Sequence, residues 1–190
     1  MINKTLAILA GGKSSRMNYN NKAMLMYKEK TFIEHIMESG KGFNETIIIS
    51  NHKEIYENLP IKIFNDIYLG NGPLSGIHSA LKHSRNNKVL CVACDMPLIT
   101  EKILNDIANV EEDYEILVPE INGRLQPLCS IYSKSLISKI EKLLMKKENK
   151  LQNFIMGTNY KVLDDKYNQE LNEKYFSNIN TPEEYILLNR

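Results

Sequence analysis

Thr5-Leu6-Ala7-Ile8-Leu9-Ala10-Gly11-Gly12 is an uncharged run that ends in paired glycines. It is short, apolar and without polar alternation, which predicts a strand buried on both faces, Thr5 to Leu9, followed by a tight turn. Such strands occur where helices cover both sides of a parallel sheet. The flanking sequence fits that plan. Thr46 to Ser50, Ile61 to Phe64 and Lys88 to Ala93 are further apolar runs of strand length. Helical spacings separate them. Thr31 and Glu34 form a capping box ahead of Ile33, Ile36 and Met37. Pro73 opens a helix with Leu74, Ile77, His78 and Leu81 on one face. Thr100 caps Ile103, Leu104, Ile107 and Ala108.

After Glu115 the pattern changes. Glu115 to Val118 and Pro127 to Tyr132 predict strands, with a turn at Asn122-Gly123. A helix over about Lys134 to Lys147 follows. Thr181-Pro182-Glu183-Glu184 is a second capping box, with proline at the first helical position, and predicts a final helix to about Leu188. The expected class is α/β: a Rossmann-like, mostly parallel sheet with helices on both faces and a small β insertion. With no linker or repeat, residues 1–190 are expected to form one domain.

A formal net charge of +1 gives no electrostatic case for nucleic acid or an acidic membrane surface. The Lys-rich stretch from Lys139 to Lys150 is expected to be the solvated face of a helix. Leu6 to Ala10 is too short for a signal-peptide core or a membrane span, so a cytoplasmic protein is expected. Cys91 and Cys94 have C-x-x-C spacing. On a strand, residues three apart point to opposite faces, which argues against a zinc or redox pair.

Ligands of open parallel sheets bind beyond the carboxyl ends of the strands. Polar residues stand at each of those ends: Gly11-Gly12 with Arg16 and Lys22, Asn51, Asp66, and Asp95 before Met96-Pro97. Gly12-Lys13-Ser14 imitates the end of a Walker A loop, but Ala7 stands where that loop needs its first glycine. The glycine pair can bring backbone N–H groups close to a phosphate or base, with Arg16 and Lys22 as counter-charges. A plain turn with two solvated cations is the alternative. Asp95 follows a very apolar strand, where a carboxylate needs a cation or hydrogen-bond donors; a bound Mg²⁺ would meet that need, and an N-cap or a surface salt bridge is the alternative. Asp66 could take hydrogen bonds from a ribose or base, or sit in a loop. Gly70 to Gly76 enters a helix, either as an anion site or as a close helix–sheet contact.

Together these segments resemble the molybdenum cofactor guanylyltransferases, MobA-type nucleotidyltransferases, over nearly the whole chain. The late motif Asn178-Ile179-Asn180-Thr181-Pro182-Glu183 is the most specific part of the match. The resemblance implies that Leu9, Ala10, Gly11 and Gly12 hold the guanine nucleotide, that Lys22 and Arg16 meet its phosphates, and that Asn51 and Asp66 bind the nucleoside. It implies that Asp95 coordinates Mg²⁺ and that Asn178 and Asn180 border the acceptor. The catalytic set would be Arg16, Lys22 and Asp95. The implied substrates are GTP and a molybdopterin-type cofactor, with cofactor-delivery or recipient molybdoenzyme proteins as partners. Two positions depart from the pattern: Asn18 where the family usually has glycine, and Asn21 where it usually has aspartate. A cytidylyltransferase of the same fold, or a nucleotide-binding protein without activity, are the alternatives.

Overall fold

In the computed structural model, which describes residues 1–11, 21–164 and 171–190, the first strand, β1, spans Ile2–Leu9. A small antiparallel hairpin, β2 (Met26–Tyr27) and β3 (Lys30–Thr31), leads into α1 (Phe32–Ser39). Next come β4 (Phe43–Ile49), β5 (Lys62–Phe64), α2 (Pro73–His83), β6 (Lys88–Ala93) and α3 (Glu101–Ala108). The remaining elements are β7 (Ile116–Ile121), β8 (Arg124–Leu125), β9 (Cys129–Ser133), α4 (Ile137–Met145), α5 (Leu151–Met156), β10 (Tyr160–Asp164) and α6 (Pro182–Leu188).

The main sheet runs β10-β7-β9-β6-β1-β4-β5, with β8 on the edge of β7. β1 lies between β4 and β6 and is parallel to both. β5 continues the parallel run beyond β4. On the other side β9 is inserted antiparallel between β6 and β7, and β10 pairs parallel with β7. The sheet is therefore mostly parallel, as the uncharged central runs require. Asn122 and Gly123 both have positive φ, 51° and 73°, the geometry that an Asn-Gly hairpin turn supplies between β7 and β8.

Alternation along β1 divides the core. Leu6 and Ile8 join Ile48, Leu90 and Val92 on the face covered by α1 and α3, against Ile33, Ile36, Ile103 and Ile107. Ala7 and Leu9 join Ile47, Ile49, Val89 and Cys91 on the other face. There α2, α4 and α5 bring Leu74, Ile77, Leu81, Ile140, Leu144 and Phe154. Each fully buried Leu or Ile side chain contributes roughly 1.5–3 kcal/mol. The apolar layers thus outweigh any single polar contact at the strand ends. α1 packs so closely that a Cβ on Gly40, its C-cap, would stand 2.2 Å from Leu6 Cδ2.

Both capping boxes form. Glu34 accepts from the Thr31 backbone N–H at 2.7 Å, and Glu184 accepts from that of Thr181 at 3.0 Å. The predicted helix from Lys134 divides into a 3₁₀ turn, Lys134–Leu136, and α4. β9 begins at Cys129, because the chain from Gln126 is still turning: the Cys129 N–H donates to the Gln126 carbonyl at 3.0 Å. Cys91 lies on the α2 face and Cys94 packs toward the α1 face, and both thiols are free. Among the described residues no helix is long and apolar enough to cross a membrane.

Candidate active site

Asp95 follows β6, and the Cys94 N–H still donates to the Leu9 carbonyl at 3.1 Å. The carboxylate is thereby held at the carboxyl end of the central parallel strands. Its Oδ2 is 3.3 Å from Lys22 Nζ, and its Oδ1 accepts from Asn178 Nδ2 at 2.8 Å. The backbone of Ile179 donates to the Asp95 carbonyl at 2.9 Å. Lys22 Nζ in turn donates to Asn180 Oδ1 at 2.7 Å. The Lys22 and Asp95 side chains are 17% and 14% exposed. A carboxylate this dry costs several kcal/mol unless it is paired and hydrogen-bonded. Lys22 and Asn178 supply both requirements.

Local structure presents each group. Lys22 opens a 3₁₀ turn, Lys22–Met24, which Asn21 caps by accepting from the Ala23 N–H at 3.0 Å. Ala23 is fully buried and anchors the turn. Asn180 donates its backbone N–H to Glu184 of the α6 capping box at 2.6 Å. Tyr185 of α6 donates to the Met26 carbonyl at 2.8 Å and lies against the Phe32 ring. The late segment is therefore strapped over the start of the chain.

A second group forms at β1, β4 and β5. Asn51 Nδ2 donates to Asp66 Oδ2 at 3.0 Å, and the Asp66 N–H donates to Asn51 Oδ1 at 3.0 Å. Asp66 Oδ1 is buried and has no hydrogen-bond partner among the described residues. Burial pushes the Asp66 carboxyl above its usual range, against the pull of Asn51. The carboxylate lies between two glycines. A Cβ on Gly11 would be 3.7 Å from Oδ2, and one on Gly76 would be 3.8 Å from Oδ1 and 3.4 Å from Leu9 Cδ2. Leu9 and Ala10 are buried beneath this corner. The α2 glycine thus serves the close helix–sheet contact, and its missing side chain also leaves room beside Asp66.

Of the residues expected at the site, Lys22, Asp95, Asn178 and Asn180 come together in one cluster, and Leu9, Ala10, Gly11, Asn51 and Asp66 in the other. Gly12 and Arg16 lie outside the described residues. Two features carried no sequence signal. One is that the two late asparagines directly hold Asp95 and Lys22. The other is Tyr56, in a 3₁₀ turn at Lys53–Tyr56, whose hydroxyl accepts from Asn21 Nδ2 at 2.8 Å. Among the described residues no three His, Cys, Asp or Glu side chains are grouped to hold a metal.

Residues 6–162 match the family described as the MobA-like NTP transferase domain. A protein of Clostridium perfringens (strain 13 / Type A) named probable molybdenum cofactor guanylyltransferase is 50% identical over 97% of this chain and 96% of its own length. Another of that name, from Carboxydothermus hydrogenoformans, is 36% identical over 97% of this chain and 94% of its own. In the solved structures, molybdopterin-guanine dinucleotide biosynthesis protein A from Archaeoglobus fulgidus superposes with a TM-score of 0.80 at 23% identity. It covers 97% of this chain and 96% of its own, which is a likeness of fold. With a strand-end cluster of this kind and relatives matched almost end to end, the chain is a nucleotidyltransferase and belongs to the MobA-like NTP transferase family.

Proposed function

We propose that this chain transfers the guanylyl group of GTP to the terminal phosphate of a molybdopterin-type cofactor, giving the guanine dinucleotide cofactor and diphosphate. The observation that carries this reading is the Lys22–Asp95 pair, closed by Asn178 and Asn180, at the carboxyl end of the parallel strands. The names of the relatives point to the same acceptor and nucleotide.

In this reading the nucleoside lies against Leu9, Ala10, Gly11 and Gly12. Asp66 Oδ1, a buried acceptor without a donor among the described residues, takes a hydrogen bond from the base or a ribose hydroxyl, and Asn51 fixes its orientation. Lys22 and Arg16 lower the negative charge on the phosphates as the acceptor approaches. An oxygen of the acceptor's phosphate attacks the α-phosphorus. A new P–O bond forms, the bond between α- and β-phosphates breaks, and diphosphate leaves with the electron pair. Asn178 and Asn180 border the acceptor while holding Asp95 and Lys22 in place.

Asp95 fits a Mg²⁺ that is also held by substrate. Such an ion uses one or two carboxylates plus phosphate oxygens, and Asp95 would supply the carboxylate at the strand ends, sharing it with Lys22. Bound there, Mg²⁺ would neutralise charge on the triphosphate. The product would pass in the cytoplasm to a delivery protein or a recipient molybdoenzyme.

The test is diphosphate release with molybdopterin, Mg²⁺ and GTP, CTP or ATP in parallel, with the dinucleotide product identified by mass. Release with GTP alone is expected. Release only with CTP would overturn the base assignment. GTP binding without release would favour a binding protein.

A further inference from the structure

Tyr56 is fully buried, yet its hydroxyl faces the arm that carries Lys22. Asn21 makes the connection. Its Oδ1 accepts from the Ala23 N–H at 3.0 Å, and the Tyr56 hydroxyl lies within hydrogen-bond distance of both ends of the amide, 2.8 Å from Nδ2 and 3.1 Å from Oδ1. The next residue is Lys22, whose ammonium meets Asp95 and Asn180. On its other side Tyr56 ends the 3₁₀ turn that follows Ser50, Asn51 and His52. Ser50 is itself buried, and its hydroxyl accepts from the His52 N–H at 3.1 Å. One phenol therefore stands between the segment that presents Asn51 and the turn that presents Lys22. Among the described residues no hydrogen bond links the Asn51–Asp66 pair directly to the Lys22–Asp95 cluster.

We propose that Tyr56 is a positioning residue for Lys22: through the Asn21 amide, its buried hydroxyl sets the phosphate-binding cation relative to the nucleoside-binding end of β4. The proposal rests on the reading of Lys22 as a phosphate contact. It also gives the amide at position 21 a physical role. Asn21 accepts from Ala23 and pairs with the Tyr56 hydroxyl through either end of its amide, without adding a negative charge next to Lys22 that would compete with Asp95 or a triphosphate. Burial pushes the Tyr56 phenol up to about 12, against the pull of Asn21 and Ser50.

Tyr56→Phe removes one oxygen and keeps the ring that fills the core. The test is a double-mutant cycle read as the Kd for GTP by titration calorimetry, with melting curves as the control for folding. With Lys22 present, Tyr56→Phe is expected to weaken GTP about fivefold and slow diphosphate release by about tenfold, because a misplaced cation loses both binding and rate. In a Lys22→Ala background the same change is expected to alter the Kd less than about twofold, since the group it acts through is gone. Asn21→Leu, which cuts the link from the exposed side, is expected to reproduce the loss. Equal losses with and without Lys22 would show that Tyr56 only supports the fold and would overturn the proposal. If the unmodified chain bound no GTP, the proposed function would fall together with this inference. If it bound GTP and the cycle were additive, only the role of Tyr56 would fall.

Discussion

Replacing Asp95 by asparagine keeps the volume of the side chain and removes its charge. The carboxylate receives two donors, Lys22 Nζ at 3.3 Å and Asn178 Nδ2 at 2.8 Å. An amide has one uncharged acceptor oxygen, so Lys22 loses its charged partner and Asn178 must turn its own oxygen toward the new N–H or lose its bond. A hydrogen bond to a charged group contributes about 1.5–3 kcal/mol, and partial exposure of both partners lowers that to about 1–2 kcal/mol here. For a chain of this size each kcal/mol shifts the midpoint of thermal unfolding by about 2–4 °C, so a drop of roughly 2–8 °C is expected. Total stabilities of about 5–15 kcal/mol leave such a variant folded at 25 °C. Catalysis should respond far more strongly. The variant loses the charge that orients Lys22 and the proposed ligand of Mg²⁺, and turnover is expected to fall by at least about 10³-fold, equivalent to about 4 kcal/mol. Diphosphate release and differential scanning calorimetry on the same preparation separate the two effects. Turnover within about threefold of the native chain, at a lowered melting temperature, would remove Asp95 from the reaction and leave it a structural ion-pair partner.

Three further outcomes are expected. Burial raises the Asp66 carboxyl above its ordinary value of 3.8. Its favourable contribution to folding is then complete only below that value and is lost as pH rises through the raised one. Asp66→Asn should therefore change the melting temperature more favourably at pH 7 than in acid, while weakening GTP; a change equal at both pH values would contradict the argument. Gly40→Ala would drive a methyl group into the buried Leu6 side chain, and a loss of about 1–3 kcal/mol in urea unfolding is expected. A neutral result would mean that α1 can move away from β1 at little cost. Gly11→Ala meets only ordinary contact at 3.7 Å from Asp66, so the fold should be unchanged while the Kd for GTP rises; unchanged affinity would place the base elsewhere.

Local rules carried the sequence reading wherever a residue's surroundings are set by its neighbours in the chain. Thr31 and Thr181 cap their helices because the partner glutamate is three residues away. Leu6 and Ala7 separate to opposite faces because a strand alternates. Asp66 and Asp95 stand at strand ends because the apolar runs before them stop there. β10 and α5 were not anticipated. β10 is an edge strand that owes its pairing to β7, and Leu151–Met156 is too short for helical spacing to stand out. The site was legible as a set of residues and not as a set of bonds. Nothing near Asn178 in the chain says that its amide meets Asp95, and Tyr56 sits in Lys53-Glu54-Ile55-Tyr56, where no period marks it as buried. These are long-range pairings, decided by the sheet order.

The strap formed by Asn178, Ile179 and Asn180 has a consequence for how the protein is made. Lys22 and its partner Asn180 are separated by 158 positions, and translation runs from one to the other. A nascent chain can lay down β1, β4 and β6 while Lys22 still lacks Asn180 and Asp95 still lacks Asn178. The charge cluster is thus completed only after the segment before α6 has left the ribosome. A chain stopped before Asn178 would have β1, β4 and β6 but not the finished charge cluster.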